Sequence, residues 1–366
     1  MSTRAKPGSP TRQPRWGGSV WIFVLVCLVL GGVVGAQHRL PLWAYGYITY
    51  TDKPVDYSTK CLGARPFDCA RGGPPTEPKG VRKLPGSTGA FTLEQIHGDY
   101  GPADWYPGDH PPMPDIVARG KEATGLRACA LCHLPNGHGK PENGPVAGLP
   151  VDYFMQTMAD FKNGRRKGAD LNKANQFEMS AIARNLTEAE TMAAAEYFGA
   201  IKFKPWVKVI ESNTVPKFNA GANGLFRPAG GTETEPLGQR LIEMPEKDLD
   251  TFLDRNPRSG MVVYAPVGSI KRGEDLATTG GATVVNSKIV PGNTKECGTC
   301  HGPDLRGLDD VPPIAGRQAS YLGRQLYDMQ QGTRNGEGTT LMKSVVQKLT
   351  PEDLVAIVAY VSSREP

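Results

Sequence analysis

Two short strings in this 366-residue chain carry the clearest chemistry. Cys129-Ala130-Leu131-Cys132-His133 and Cys297-Gly298-Thr299-Cys300-His301 each hold two thiols three positions apart, followed at once by an imidazole. Thiols at that spacing meet the two vinyl groups of one porphyrin, and the next residue reaches the iron from the same side. C-x-x-C-H therefore reads as covalent attachment of haem c. A C-x-x-C pair also serves as a zinc half-site or as a thioredoxin-like redox pair. Zinc needs four ligands from a pair of knuckles, and neither string has a second C-x-x-C beside it. A thioredoxin-like pair needs a βαβ setting, which the flanking sequence lacks. Two haem c groups, each with its iron, are the expected cofactors. Cys129, Cys132, His133, Cys297, Cys300 and His301 are the expected attachment and binding residues.

An internal repeat positions these strings. Cys129–Arg166 aligns with Cys297–Arg334 without a gap at an offset of 168. The matched pairs include Pro145/Pro313, Ala147/Ala315, Gly148/Gly316, Tyr153/Tyr321, Asp160/Asp328, Gly164/Gly332 and Arg166/Arg334. At an offset of 163, Met179 then matches Met342, Leu186-Thr187 matches Leu349-Thr350, and Tyr197 matches Tyr360. Upstream, Arg119-Gly120 echoes Arg272-Gly273. Each copy reads as three helices. The first runs through the Arg-Gly pair toward C-x-x-C-H, and the second starts near Tyr153 or Tyr321. The third opens on Thr187-x-x-Glu190, a capping box, or on Thr350 with Pro351 at the first helical position. Leu354, Ile357, Val358 and Val361 then recur at helical spacing.

The repeat resembles the class I cytochrome c domain in tandem dihaem arrangement, over roughly residues 113–202 and 268–366, about half the chain. That resemblance implies a mainly α fold of two cytochrome c domains. It also implies that Gly120/Tyr197 and Gly273/Tyr360 mark the crossing of first and last helices. The face of each iron opposite His133 or His301 needs a ligand or stays open, and a thioether is soft and favours Fe(II). Met179 and Met342 follow their histidines by 46 and 41 residues, in what reads as a loop before the last helix. They resemble the axial methionines of the family, which makes His133, Met179, His301 and Met342 the expected metal ligands. Met158 and Met329 sit at core spacing in the second helix and are not equivalent in the repeat. His97 and His110 read as surface residues, and His138 as a solvated loop residue. Pro145 or Pro313 is expected to offer a carbonyl to the second nitrogen of the ligating imidazole, with Pro312 equally eligible. Arg166 and Arg334 read either as partners of a haem propionate or as solvated helix ends.

The remaining chain divides into connecting regions. Residues 1–15 are a basic N-terminus, and 16–38 form an uncharged apolar run. That run reads as a transmembrane anchor with its basic side cytoplasmic, or as a signal cleaved after Val34-Gly35-Ala36. Both readings place the body in the periplasm, either tethered to the inner membrane or soluble. Cys27 reads as an apolar membrane residue, and Cys61 with Cys69 as a disulfide closing a nine-residue loop. Residues 39–112 are rich in aromatic residues, Pro and Gly, and are expected to wrap over the first haem domain. Residues 203–267 join the domains, with short strands at Val207–Ile210 and Met261–Tyr264 and a loop over Asn219–Gly231.

The formal charge of +5 includes four basic residues within the first 15, so the body carries about +1. Four haem propionates would make it neutral or mildly acidic. No nucleic-acid stripe is present. The expected function is electron transport in a respiratory chain, with no small-molecule substrate and no catalytic residue. Partners would be a dehydrogenase, a quinol-oxidising complex or a terminal oxidase, and the chain would be a shuttle or the cytochrome subunit of such a complex. The competing reading is a dihaem peroxidase, which needs an open sixth position and a distal acid–base residue.

Overall fold

A computed structural model describes Met1 and residues 80–170, 173–220 and 226–366. Beyond Met1, all of these fall in one compact unit, Leu40–Pro366. The apolar run 16–38, Cys27 and the Cys61/Cys69 pair lie outside the described residues. Among the described residues no helix is long and apolar enough to cross a membrane.

The chain enters through a small hairpin, β1 (Val81–Arg82) against β2 (Phe91–Thr92), and a single turn, α1 (Leu93–Ile96). Thr92 and Gln95 form a capping box that starts α1. Leu84, Leu93, Ile96, Trp105 and Tyr106 bury a small core of their own. Trp105 Nε1 donates to the Asp254 carbonyl at 2.7 Å, and Arg82 pairs with Asp254. Much of this extension is therefore fastened to the connector. It reaches the first repeat where Ala128 N donates to the Asp99 carbonyl (3.0 Å) and where His110 meets Tyr197 edge-on.

The first repeat follows as α2 (Asp115–Ala118), α3 (Cys129–His133), α4 (Val151–Lys162), α5 (Ala174–Asn185) and α6 (Glu188–Gly199). The expected long first helix is absent here. α2 stops after four residues, and Gly120 turns at φ +65°. A side chain at Gly120 would meet the Leu126 carbonyl at 2.3 Å, not Tyr197. Gly120 therefore closes a tight loop, which the Arg-Gly pair alone does not distinguish from a helical glycine. Tyr197 instead donates its hydroxyl to the Pro135 carbonyl at 2.6 Å.

The connector is a β module. β3 (Val207–Glu211), β4 (Thr214–Pro216), β5 (Phe218–Ala220), β6 (Phe226–Pro228), β7 (Thr234–Pro236) and β8 (Ile242–Pro245) precede α7 (Asp248–Phe252) and β9 (Met261–Ala265). β9 pairs parallel with β3 and antiparallel with β8. Met261, Val263 and Ala265 alternate inward along it, as period-two burial requires. The stretch expected to be loop contains the β5–β6 pair, held by Phe218 edge-on to Phe226 at 4.8 Å. Such a cross-strand aromatic contact offsets a polar, Gly-rich surround.

The second repeat comprises α8 (Ser269–Thr279), β10 (Thr283–Val285), β11 (Lys288–Val290), α9 (Gly298–His301), α10 (Ala319–Gln330), α11 (Thr340–Val346) and α12 (Pro351–Ser362). α12 is buried from Asp353 to Ser362, as a helix apolar on all sides must be. Here the glycine crossing exists. A Cβ on Gly273 would lie 2.0 Å from the Ala356 carbonyl oxygen and 2.7 Å from Tyr360 Cβ. Only hydrogen at that point lets α8 lie on α12.

Candidate functional site

Each attachment histidine is fixed the same way. His133 Nδ1 is 2.8 Å from the Gly144 carbonyl oxygen, and His301 Nδ1 is 2.8 Å from that of Pro312. A carbonyl only accepts, so Nδ1 carries the proton in both and Nε2 is the basic nitrogen. In the first copy the acceptor is Gly144 rather than the expected Pro145, and in the second it is Pro312, one of the two prolines eligible there. Each lies 11 positions past its histidine, because it is the peptide before the proline that turns its oxygen toward the ring. Burial pushes both imidazoles below the ordinary histidine value, with the carbonyl bond opposing it. The rings are thus held neutral, as metal ligation requires.

Both attachment helices end in left-handed backbone, at Leu134 (φ +62°) and Gly302 (φ +81°). The first copy holds a leucine where the second relaxes the same turn with glycine. The four cysteines of the two strings are unbridged. Burial pushes the Cys129 thiol up to about 12 and the Cys297 thiol up to about 11. A redox-exchange pair needs the opposite shift. Among the described residues no three His, Cys, Asp or Glu side chains converge to hold a metal ion.

Cys129, Cys132, His133 and Met179 line one open cleft of about 1450 Å³, solvent at its mouth included. Its walls are mostly apolar, from Phe154, Met158, Ile182 and Phe198, with Tyr153 and Arg166 at one side. Met179 lies on α5 and Met342 on α11, so both sit on helices and not in the expected loop. The segment before each last helix folds into a helix of its own. In the second repeat, Met342 and Cys297 pack against the same core, around Leu354 and Val358. Met158 and Met329 are 8% exposed and belong to the two cores.

Three histidines differ from expectation. His138 is buried, packed against Phe203 and Trp206 at 4.9 and 5.3 Å. Burial, reinforced by Arg317 and Lys204, pushes it down to about 4. The connector aromatics that enclose it are distant in sequence, so its Gly-rich neighbours gave no sign. The His110 side chain is also buried, beside Asp104 at 3.2 Å, and His97 Nε2 reaches the Leu253 carbonyl at 2.8 Å.

Arg166 and Arg334 are buried and cross between the repeats, so neither is a solvated helix end. Arg166 donates to the Tyr321 hydroxyl and Arg334 to the Tyr153 hydroxyl, each at 2.9 Å, and both reach Gln325 Oε1. Burial disfavours the Tyr153 phenolate, but the Arg334 and Arg166 guanidiniums overcome it and hold that hydroxyl well below the ordinary phenol value. Residues that the two repeats do not share complete the join. Arg317 donates to the Pro145 (3.2 Å) and Ala147 (2.8 Å) carbonyls, Gln318 to that of His138 (3.3 Å), and Arg324 to that of Pro141. Glu243 of β8 accepts from the Ser320 N–H at 2.8 Å at the start of α10. No sequence signal marks these contacts, because each depends on how the repeats meet.

Paired thiols, a neutral imidazole with Nε2 as its basic nitrogen, and a thioether on one apolar cleft form a donor set that suits covalently held haem c. Known proteins agree with that chemistry. The family profile described as Cytochrome c matches residues 292–365. The chain is 36% identical over 248 residues to the thiosulfate dehydrogenase electron acceptor of Stutzerimonas stutzeri, covering 67% of this chain and 82% of that one. It is 25% identical over 251 residues to cytochrome c4 of Pseudomonas aeruginosa, covering 67% and 89%. Reduced recombinant cytochrome c4 from Pseudomonas stutzeri aligns in structure over 65% of this chain and 93% of its own, at 20% identity and a TM-score of 0.40.

Proposed function

The chain belongs to the cytochrome c family, and from that premise we propose that it is a dihaem carrier with one haem c in each repeat. The observation that carries this reading is the duplicated histidine lock, His133 to Gly144 and His301 to Pro312. A single site could arise for many reasons, but two copies with the same tautomer and the same acceptor position serve one repeated chemistry. Bound haem supplies one-electron chemistry between Fe(III) and Fe(II).

The chain's own residues do the rest. Cys129 with Cys132, and Cys297 with Cys300, tether the two groups. His133 and His301 would offer Nε2, and Met179 and Met342 their sulfur, as ligands to the iron. The apolar cleft walls keep water away and favour the less charged state. The crossed Arg166–Tyr321 and Arg334–Tyr153 contacts hold the two sites in fixed register.

A relative named as an electron acceptor of thiosulfate dehydrogenase supports a redox protein as partner. The proposed donor is a periplasmic dehydrogenase, and a terminal oxidase or quinol-oxidising complex stands on the other side. Residues 1–38 deliver the body to the periplasm, as an inner-membrane anchor or as a cleaved signal. The test is spectroscopic. Exported protein is expected to hold two covalent haems per chain, each with a Met–Fe(III) charge-transfer band near the red edge. One haem per chain, or a high-spin haem that turns over peroxide, refutes the carrier reading.

A further inference from the structure

The second repeat is longer than the first ahead of its attachment string. Gly120 precedes Cys129 by 9 positions, whereas Gly273 precedes Cys297 by 24. The extra residues form the β10–β11 hairpin, which pairs only with itself. All of residues 283–290 are exposed. Val284 and Ile289 face each other across the strands at 73% and 77% exposure. Val285 and Val290 are also exposed. Single exposed valines need no explanation, but a two-stranded hairpin with free edges and apolar side chains on both faces does.

The hairpin is held stiffly. Its turn residues Asn286 and Ser287 take φ of +49° and +61°, the paired left-handed geometry of a two-residue turn matched to strand twist. Its return strap is fastened on both sides. Thr294 Oγ1 donates to the Val345 carbonyl at 2.9 Å, and Cys297 N donates to the Ala277 carbonyl at 2.8 Å. The strap thus joins the hairpin, the second attachment helix and α11, which carries Met342.

We propose that this hairpin is a docking surface for a redox protein that presents an apolar patch rimmed by acidic side chains. The proposal rests on the carrier reading above, since it places the partner beside the second haem site. Charge selects the occupant. Lys288 lies within β11, Lys295 in the strap, and Lys343 and Lys348 on and just after α11, all exposed, with Glu296 the one acid in the strap. A second copy docking symmetrically would set this patch on itself and bring lysines against lysines. An acidic rim meets them with opposite charge and steers encounter. A preformed hairpin also spares the ordering cost of a loose loop.

Oxidised plastocyanin, an acidic copper protein with an apolar patch, is the probe. Fully reduced, full-length holoprotein is mixed with it, and one electron passes from ferrous haem to Cu(II). Val284→Ser/Ile289→Ser is expected to slow this transfer about fivefold or more, and Lys288→Glu/Lys343→Glu to slow it further at low salt. Oxidation by hexacyanoferrate(III) and haem content stay unchanged in the apolar variant, which shows that it folds and carries haem. Binding of copper-free plastocyanin, read by surface plasmon resonance, falls in parallel. Unchanged rate and binding in both variants overturn the proposal. So does a wild-type dimer that the apolar variant dissolves, or protection of Val284 and Ile289 from hydroxyl-radical labelling in the lone monomer. A wild type that fails with hexacyanoferrate(III) as well as plastocyanin overturns the carrier reading instead.

Discussion

The backbone that follows the attachment histidine is covered in one half of the molecule and bare in the other. Residues 134–142 are all buried after His133, whereas Pro303, Asp304, Arg306 and Leu308–Asp310 are exposed after His301. The cover comes from outside the repeat. Asn136 donates to the Pro257 carbonyl at 2.7 Å, and Arg255 donates to the Leu131 carbonyl at 2.6 Å, inside the first C-x-x-C-H string. Arg317, Gln318 and Arg324 close the same loop from the second repeat. The local geometry of attachment is therefore duplicated, but access is not. Exchange with large partners is expected to favour the second copy, with the first site reached through its cleft and through its neighbour.

Replacing the thioether tests the part of the comparison in which the halves agree, and carries the largest effect. Met179→Ala and Met342→Ala are each expected to lower the potential of their own haem by more than about 60 mV, a tenfold change for one electron. Both haems stay covalently attached, because the thiols are untouched. Potentiometry with each haem resolved reads this. If one substitution leaves its haem unchanged, the copies do not share a ligand set, and the likeness of the halves stops at the histidine.

The helix crossing is where the halves disagree most sharply in the backbone. Gly273→Ala forces a methyl against the Ala356 carbonyl and the Tyr360 side chain, in the middle of two long helices. It is expected to cost about 3 kcal/mol. Gly120→Ala meets backbone too, the Leu126 carbonyl at 2.3 Å, but in a short loop and not between two packed helices. Its cost is expected to be about 1–2 kcal/mol, mostly from placing alanine at a left-handed position. Urea unfolding of the two holoproteins orders them. Equal costs would mean that the first copy also relies on a helix crossing.

This pair also shows how far the sequence could be read. Both Arg-Gly pairs look alike as letters, and only the fold separates a helical Gly273 from a left-handed Gly120. Features set within a few residues were legible: the starts of α4 and α10, the capping box at Thr187 and the N-cap at Thr350. The first imidazole acceptor was missed by one position, and the second was left open between Pro312 and Pro313, because a carbonyl's direction depends on the whole loop. The Arg166–Tyr321 cross was invisible, since each arginine matched its repeat partner but not the tyrosine it meets. Met179 was legible as a repeat position and illegible as a helical one, because α5 carries few buried residues to mark a face.

His138 offers a pH test of the covered half. Its repeat counterpart is Arg306, which is exposed. Burial holds His138 at about 4, against 6.5 when unfolded. The unfolded chain therefore binds the proton first. Stability is complete above pH 6.5 and is lost as pH falls toward 4, with about 2–3 kcal/mol at stake by pH 4.5. Urea midpoints at pH 7 and 4.5 should fall further for the wild type than for His138→Phe, which keeps the aromatic packing and removes the titration. Equal falls would show that water reaches the ring, and the contrast in cover would weaken.

The smallest expected effect asks whether the last helices match. Thr187 and Thr350 each accept from the third backbone N–H at 3.2 Å. In return, Glu190 accepts from the Thr187 N–H at 2.8 Å and Asp353 from the Thr350 N–H at 3.0 Å. Thr187→Ala and Thr350→Ala both remove the acceptor of that N–H, so each is expected to cost about 1 kcal/mol, with Thr187 also losing its own donation to Glu190. The surroundings differ, since Asp353 is buried and tied to Arg272 while Glu190 is half-exposed and tied to Lys121. The Thr187 hydroxyl also donates to the Glu190 carboxylate at 2.9 Å, the group that Lys121 holds. Costs within about 0.5 kcal/mol of each other would confine the asymmetry to cover and access. A clearly larger loss at Thr350 would mean that the α8–α12 crossing depends on its cap, and the difference between the halves would then begin in the helices themselves.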